Sequence, residues 1–242
     1  MCGIAGVFDT RGHKEIDASL LDQMNQAQFH RGPDEGGTHR EPGVGLAHRR
    51  LSIIDLSHGQ QPLFSQDGNL VVVYNGEIYN FREIRTELAG LGYQFQTHCD
   101  TEVIVYAWDA WGEACVDRFR GMFAFALWDR RQETLFLARD RMGIKPLFYS
   151  LLPSGELVFA SELKSLQVYP GLPNQHDPQA IEEYFALGYI PEPKTIYQNV
   201  YKLPPAHTLK LVRGQEPVLN EYWDIPFKLH QGMTEGDAKA EL

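Results

Sequence analysis

Cysteine is scarce in this chain of 242 residues: Cys2, Cys99 and Cys115 are the only three, an odd set whose spacing matches no zinc signature. A disulfide framework is thereby excluded. A chain this long does not need one, because it buries roughly 70–75% of its unfolded surface on folding. Positive charge is also in deficit, with 22 Lys and Arg against 32 Asp and Glu and a net charge of −10. That balance argues against a nucleic-acid partner held by phosphate neutralisation. No stretch approaches the ~18–20 apolar residues of a membrane span. Asp9, Arg11, His13, Lys14 and Glu15 leave no room for the apolar core of a secretory signal. These absences predict a cytoplasmic protein whose thiols stay reduced. Glycine-rich Rossmann and Walker loops, internal repeats and low-complexity tracts are missing as well, so phosphate binding has no support.

What remains is an ordinary globular composition, 22% charged and 12% aromatic. Ile16, Leu20, Met24 and Ala27 recur at helical spacing, and Gly32-Pro33 stops that element. Leu70 to Tyr74 is a continuous apolar run, the mark of a strand buried on both faces, and Asn75-Gly76 reads as a turn that ends it. Asn80 and Glu83 have capping-box spacing for a helix whose buried face would be Phe81, Ile84, Leu88 and Leu91. A second helix is predicted from Thr101 to Gly112. Strands follow at Met122–Trp128, Thr134–Ala138, Leu147–Leu152 and Glu156–Ser161, with hairpin turns between members of each pair. Asp177, Pro178 and Gly188 frame another helix, and a last hairpin turns at Arg213-Gly214. This order predicts an α+β fold with antiparallel sheets.

Cys2 is the most informative residue. Removal of Met1 would leave it with a thiol and a free α-amine on one residue. A free thiol titrates near 8.5 and an α-amine near 7.7–8.0, so moving the proton between them costs only about 0.7–1.1 kcal/mol. One residue thus supplies nucleophile and base. Position alone favours a small apolar residue in a first strand, Cys2 to Phe8, over a catalytic one.

Several ordered motifs decide between these. Met1 to Phe8, His30-Arg31-Gly32-Pro33-Asp34, Leu46 to Ile53, Tyr74 to Asn80, Asp100 to Val103, Gly121 to Ala126 and Arg139 to Leu147 together resemble the class II, N-terminal-nucleophile glutamine amidotransferases. The set is most similar to the glutaminase half of glutamine-hydrolysing asparagine synthetases. The likeness is dense over about the first 165 residues and thins toward Trp223.

The resemblance implies a four-layer αββα sandwich of two antiparallel sheets. It also implies a glutamine site on matching positions: Cys2 as nucleophile, Arg50 on the substrate α-carboxylate, the Asn75 amide and Gly76 N–H as an oxyanion hole, Glu77 and Asp100 at the substrate ammonium, and a backbone contact from Ile53. Guanidinium suits a carboxylate because two parallel hydrogen bonds fix its orientation. Arg49 would point to the opposite face of the strand. Read without the family, Asn75-Gly76 is a simple turn, Glu77 a first-turn helix acid and Asp100 a helix cap. The resemblance implies that His30 to Asp34 and Arg139 to Pro146 shape the pocket and the sheet edges, and they are read as structural support; Cys99 and Cys115 are read as core or wall residues.

The implied domain covers residues 2–225, with 226–242 as a linker or the start of a synthetase domain. The partners implied are L-glutamine, that C-terminal synthetase domain and a homodimer, with no nucleic acid and no membrane. No cofactor is expected for the domain itself, and Mg-ATP is implied for the synthetase domain. Two rivals are a glutaminase half of a phosphoribosyl- or hexosamine-phosphate-type transferase, which would amidate another acceptor, and a non-catalytic scaffold that keeps the fold.

Overall fold

The computed structural model describes residues 2–52, 59–225, 236 and 239. The elements run β1 (Gly3–Asp9), α1 (Ala18–Gln26), β2 (Glu35–Glu41), β3 (Val44–Arg50), β4 (Leu63–Phe64), β5 (Leu70–Ile78), α2 (Phe81–Gly90), α3 (Thr101–Trp111) and α4 (Cys115–Arg118). They continue as β6 (Gly121–Asp129), β7 (Thr134–Arg139), β8 (Phe148–Leu151), β9 (Glu156–Ala160), α5 (Leu163–Gln167), α6 (Pro178–Leu187), β10 (Tyr201–Lys202), β11 (His207–Val212) and β12 (Val218–Glu221).

Among the described residues the strands form two six-stranded sheets, ordered β10-β8-β9-β1-β3-β2 and β12-β11-β7-β6-β5-β4. The paired strands within each are antiparallel. Side-chain alternation along the strands builds the layers. Ile4, Phe8, Val44 and Leu46 of the first sheet meet Val71, Val73, Ala124 and Leu137 of the second in one core between the sheets. The opposite faces carry helices. Ala5, Val7 and Ala47 pack with Leu21, Met24 and Leu166 of α1 and α5, while Val72, Tyr74 and Phe125 pack with Ile84, Leu88, Ile104 and Trp108 of α2 and α3. The result is the four-layer αββα sandwich that the sequence implied.

Local chemistry explains the best-matched elements. Asp177 caps α6 by accepting from the amides of Gln179 and Ala180, Pro178 opens it, and Gly188 closes it at a φ of 79°. Three expectations are corrected. Asn75-Gly76 is not a turn: β5 runs on to Ile78, because β6 pairs with it along its whole length, Asn75 opposite Ala124 and Ile78 opposite Gly121. Asn80 makes no capping bond; its side chain instead accepts from Arg120 N and donates to Arg118 O, tying the helix start to the segment before β6. Leu91 lies beyond α2 and is exposed.

Candidate active site

The two sheets bring their inner faces to one end of the sandwich, and the strand alternation that built the core continues into the site. Cys2 has the parity of Ile4 and Phe8 on the first strand, Arg50 that of Val44 and Leu46 on β3, and Asn75 and Glu77 that of Val71 and Val73 on β5. All four therefore leave the apolar core and enter a cavity of about 390 Å³. Its walls carry Cys2, Arg50, Asn75, Gly76, Glu77 and Asp100 together. Ile53 lies outside the described residues.

Each side chain has a cause for its place. Arg50 is buried and bonds Glu35 through Nη1 at 2.9 Å. Arg49, one residue back, faces the helix layer and stacks over the Phe29 ring at 4.5 Å, as alternation requires. Cys2 is partly buried; its thiol lies 3.8 Å from the Leu51 carbonyl, and its own carbonyl accepts from Arg31 Nε at 2.9 Å. Arg31 also bonds Glu162 at 3.0 Å, and Asp34 accepts from the Ser52 amide at 2.8 Å. The His30 to Asp34 segment thus braces the start of the first strand at Cys2 and the end of β3.

Asn75 is almost fully buried, and its Nδ2 has no hydrogen-bond partner among the described residues. An unpaired buried donor costs about 1–3 kcal/mol, so its presence at the cavity wall calls for an acceptor. Gly76 contributes backbone. The amides of Tyr74 and Ile78 both point away from β6, donating to Gln61 Oε1 at 2.6 Å and to Asp100 Oδ2 at 3.0 Å. By strand alternation the Gly76 amide shares that edge. A Cβ at Gly76 would lie 2.3 Å from the Met122 carbonyl and 2.7 Å from Phe123 Cα, so close approach to β6, not turn geometry, requires glycine there.

Glu77 sits on the strand and not in a helix, which corrects its reading as a first-turn acid. Asp100 stands at the N-cap position of α3 but makes no capping bond. Its Oδ2 accepts from Tyr74 Oη at 2.7 Å as well as from Ile78 N. Burial, with Glu77 adding to it, raises the Asp100 carboxyl above its ordinary range against those hydrogen bonds. The Tyr74 hydroxyl is pushed well up by burial and by Asp100. His48 joins the two sheets: its Nε2 donates to the Tyr74 carbonyl at 3.0 Å, and burial pushes it down to about 3, so it is neutral.

Gln61, Thr101, Met122 and Lys145 also line the cavity, and sequence reasoning named none of them as a site residue. Lys145 falls in the Arg139 to Pro146 motif, so the motif was legible while its contact with the site was not. Cys99 is a wall residue of the same cavity, its thiol raised chiefly by burial, and Cys115 is fully buried in the core. Among the described residues no group of His, Cys, Asp and Glu is placed to hold a metal ion, and no helix is long and apolar enough to cross a membrane.

Comparison with known proteins meets this geometry. A family model described as a glutamine amidotransferase domain matches residues 1–223. Asparagine synthetase [glutamine-hydrolyzing] 1 of Bacillus subtilis is 38% identical over 230 residues, covering 94% of this chain and 36% of that protein. Asparagine synthetase [glutamine-hydrolyzing] 3 of Arabidopsis thaliana is 40% identical over 166 residues, 69% of this chain and 28% of that one. The chain spans about a third of the length of such relatives. Among solved structures, glutamine phosphoribosylpyrophosphate amidotransferase of B. subtilis superposes with a TM-score of 0.63 at 20% identity, over 92% of this chain and 49% of that one, a likeness of fold.

Proposed function

Because the chain belongs to the glutamine amidotransferase family and is homologous to the glutaminase part of glutamine-hydrolysing asparagine synthetases, we propose that it hydrolyses L-glutamine to L-glutamate and ammonia with Cys2 as nucleophile. The observation that carries this reading is the unpartnered Asn75 Nδ2 in one cavity with Cys2. Free glutamine is a zwitterion, and the cavity offers Arg50 for its carboxylate and Glu77 and Asp100 for its ammonium. That charge pattern selects a free amino acid over a peptide.

Once Met1 is removed, the Cys2 α-amine takes the thiol proton and the sulfur attacks the side-chain amide carbon. Asn75 Nδ2 and the Gly76 amide hold the oxygen that becomes negative. The α-ammonium gives its proton to the departing nitrogen, which leaves as ammonia. Water, deprotonated by the same amine, then hydrolyses the γ-glutamyl thioester and frees glutamate. No step calls on a cofactor. The Mg-ATP chemistry belongs, in this reading, to a synthetase domain that receives the ammonia, and the acceptor is aspartate or a related acid. The domain is read as residues 2–225, its segment 226–242 serving as the connection, and the location is cytoplasmic.

Ammonia release from L-glutamine tests the reading, with intact mass to score Met1. Cys2→Ala is expected to fold and to release no ammonia. A chain that keeps Met1 and still turns over at full rate would remove the α-amine as base.

A further inference from the structure

Lys145 is fixed in place from both sides. Its amide donates to Asp140 Oδ2 at 3.0 Å, and its carbonyl accepts from Arg139 Nε at 2.8 Å. The residue lines the cavity that holds Cys2 and is only 5% exposed. No ion pair or hydrogen bond joins its ammonium to a described residue. The charged and titratable groups around it are Arg31 from the short turn before β2, Asp140 from its own turn, Cys2 at the start of β1 and Glu77 on β5.

Two of these are already engaged. The Asp140 carboxylate accepts from four amides, those of Phe123, Met142, Ile144 and Lys145. Arg31 is a second cation, bonded through Nε to the Cys2 carbonyl and through Nη1 to Glu162, with its Nη2 unpaired among the described residues. An ammonium without a partner on a buried residue is costly, and burial together with Arg31 lowers its pKa against Asp140, Cys2 and Glu77, which raise it. Such a charge is tolerated where an anion arrives. In this cavity the group at which negative charge develops is Cys2.

We propose that Lys145 is the counter-ion of Cys2, stabilising the negative charge that passes through the site as thiolate, as tetrahedral oxyanion and as the γ-carboxylate of the product. The proposal rests on the reading of Cys2 as nucleophile. Lys145 neither gives nor takes a proton: the thiol proton goes to the α-amine, and the electron pair left on sulfur forms the bond to carbon. Lys145 acts through its charge on Cys2, so any residue that keeps the charge in place keeps part of the effect.

Alkylation by iodoacetamide in the absence of glutamine tests this. The reagent is uncharged and reports the thiolate. Mapping the modified peptide separates Cys2 from the buried Cys99 and Cys115. Because no glutamine is present, the answer stands whether or not the chain proves to be a glutaminase. At neutral pH, Lys145→Met is expected to slow Cys2 alkylation about tenfold, the effect of losing one nearby opposite charge. Lys145→Arg should keep the rate within about threefold of wild type. The melting temperature of Lys145→Met should equal or exceed that of wild type, since an unpartnered buried charge is gone. An unchanged alkylation rate in Lys145→Met overturns the proposal; a raised KM for glutamine beside that unchanged rate would assign Lys145 to Glu77 instead. A lowered melting temperature with equal slowing in the Met and Arg variants also overturns it, because packing alone would then explain both.

Discussion

Truncating Asn75 to alanine should separate catalysis from stability, and the structure sets both magnitudes. The side chain is 1% exposed, and its Nδ2 donates to nothing. An unsatisfied buried donor costs about 1–3 kcal/mol, and alanine abolishes that cost while giving up some packing against the cavity wall. The two offset, so folding stability is expected to stay within about 1 kcal/mol of wild type. The strand should persist, because Asn75 faces Ala124 in a ladder whose backbone bonds do not involve the side chain. Catalysis loses a donor that meets full charge only after the thiolate adds, an effect of about 2.7–4 kcal/mol, or ~10²–10³ in kcat with a smaller change in KM. Asn75→Asp should be slower still, since a carboxylate repels the oxyanion. Steady-state ammonia release measures the rate, single-turnover acylation isolates the chemical step, and urea unfolding measures stability. A folded Asn75→Ala protein with near-normal acylation would refute the role. A loss of several kcal/mol in stability would refute the claim that the amide is held unsatisfied for an incoming oxygen.

Arg50→Ala should raise the KM for glutamine by about 10–100-fold with kcat nearly kept, because a charged hydrogen bond of about 1.5–3 kcal/mol acts in ground and transition states alike. Arg49→Ala, which removes only the stack on Phe29, should leave kcat/KM within about twofold; exchanged effects would put the strand register one residue off. His48 gives a pH dependence of stability. Its folded value of about 3 lies below the unfolded 6.5, so the unfolded chain binds the proton first as pH falls. The stabilisation is complete above about pH 6.5 and is lost toward pH 3, at up to about 1.4 kcal/mol per unit. His48→Gln, which keeps a donor for the Tyr74 carbonyl, should flatten that slope in urea titrations between pH 6 and 4.

The readable parts of this fold are those decided within a few residues. Asp177, Pro178 and Gly188 mark both ends of α6 because each acts on its own helix. Asn75-Gly76 misleads for the opposite reason. The dipeptide carries a local turn signal, but the strand that overrides it, β6, lies more than 40 residues further along the chain. Asn80 is similar: its capping spacing is correct, yet Arg118 and Arg120 take its side chain. In the site, Cys2, Arg50, Asn75, Gly76, Glu77 and Asp100 could be named because each belongs to a recognisable motif. Lys145 and Met122 also belong to such motifs, but their place in the cavity, like that of Gln61, depends on contacts between segments distant in the chain, which no spacing reveals.

The central position of β1 has a consequence for the order of events during synthesis. The strand that follows Cys2 lies between β3, which leaves the ribosome soon after it, and β9, whose residues 156–160 follow about 150 residues later. At 5–20 residues per second that interval is about 7–30 s. Throughout it one edge of β1 has no partner, and the first residues of the chain stand open to an aminopeptidase. An enzyme that removes Met1 would therefore act on a nascent chain, before β9 closes the second edge of the strand that follows the terminus. A mutation that hastened closure could leave a folded protein whose site is complete except for the free amine.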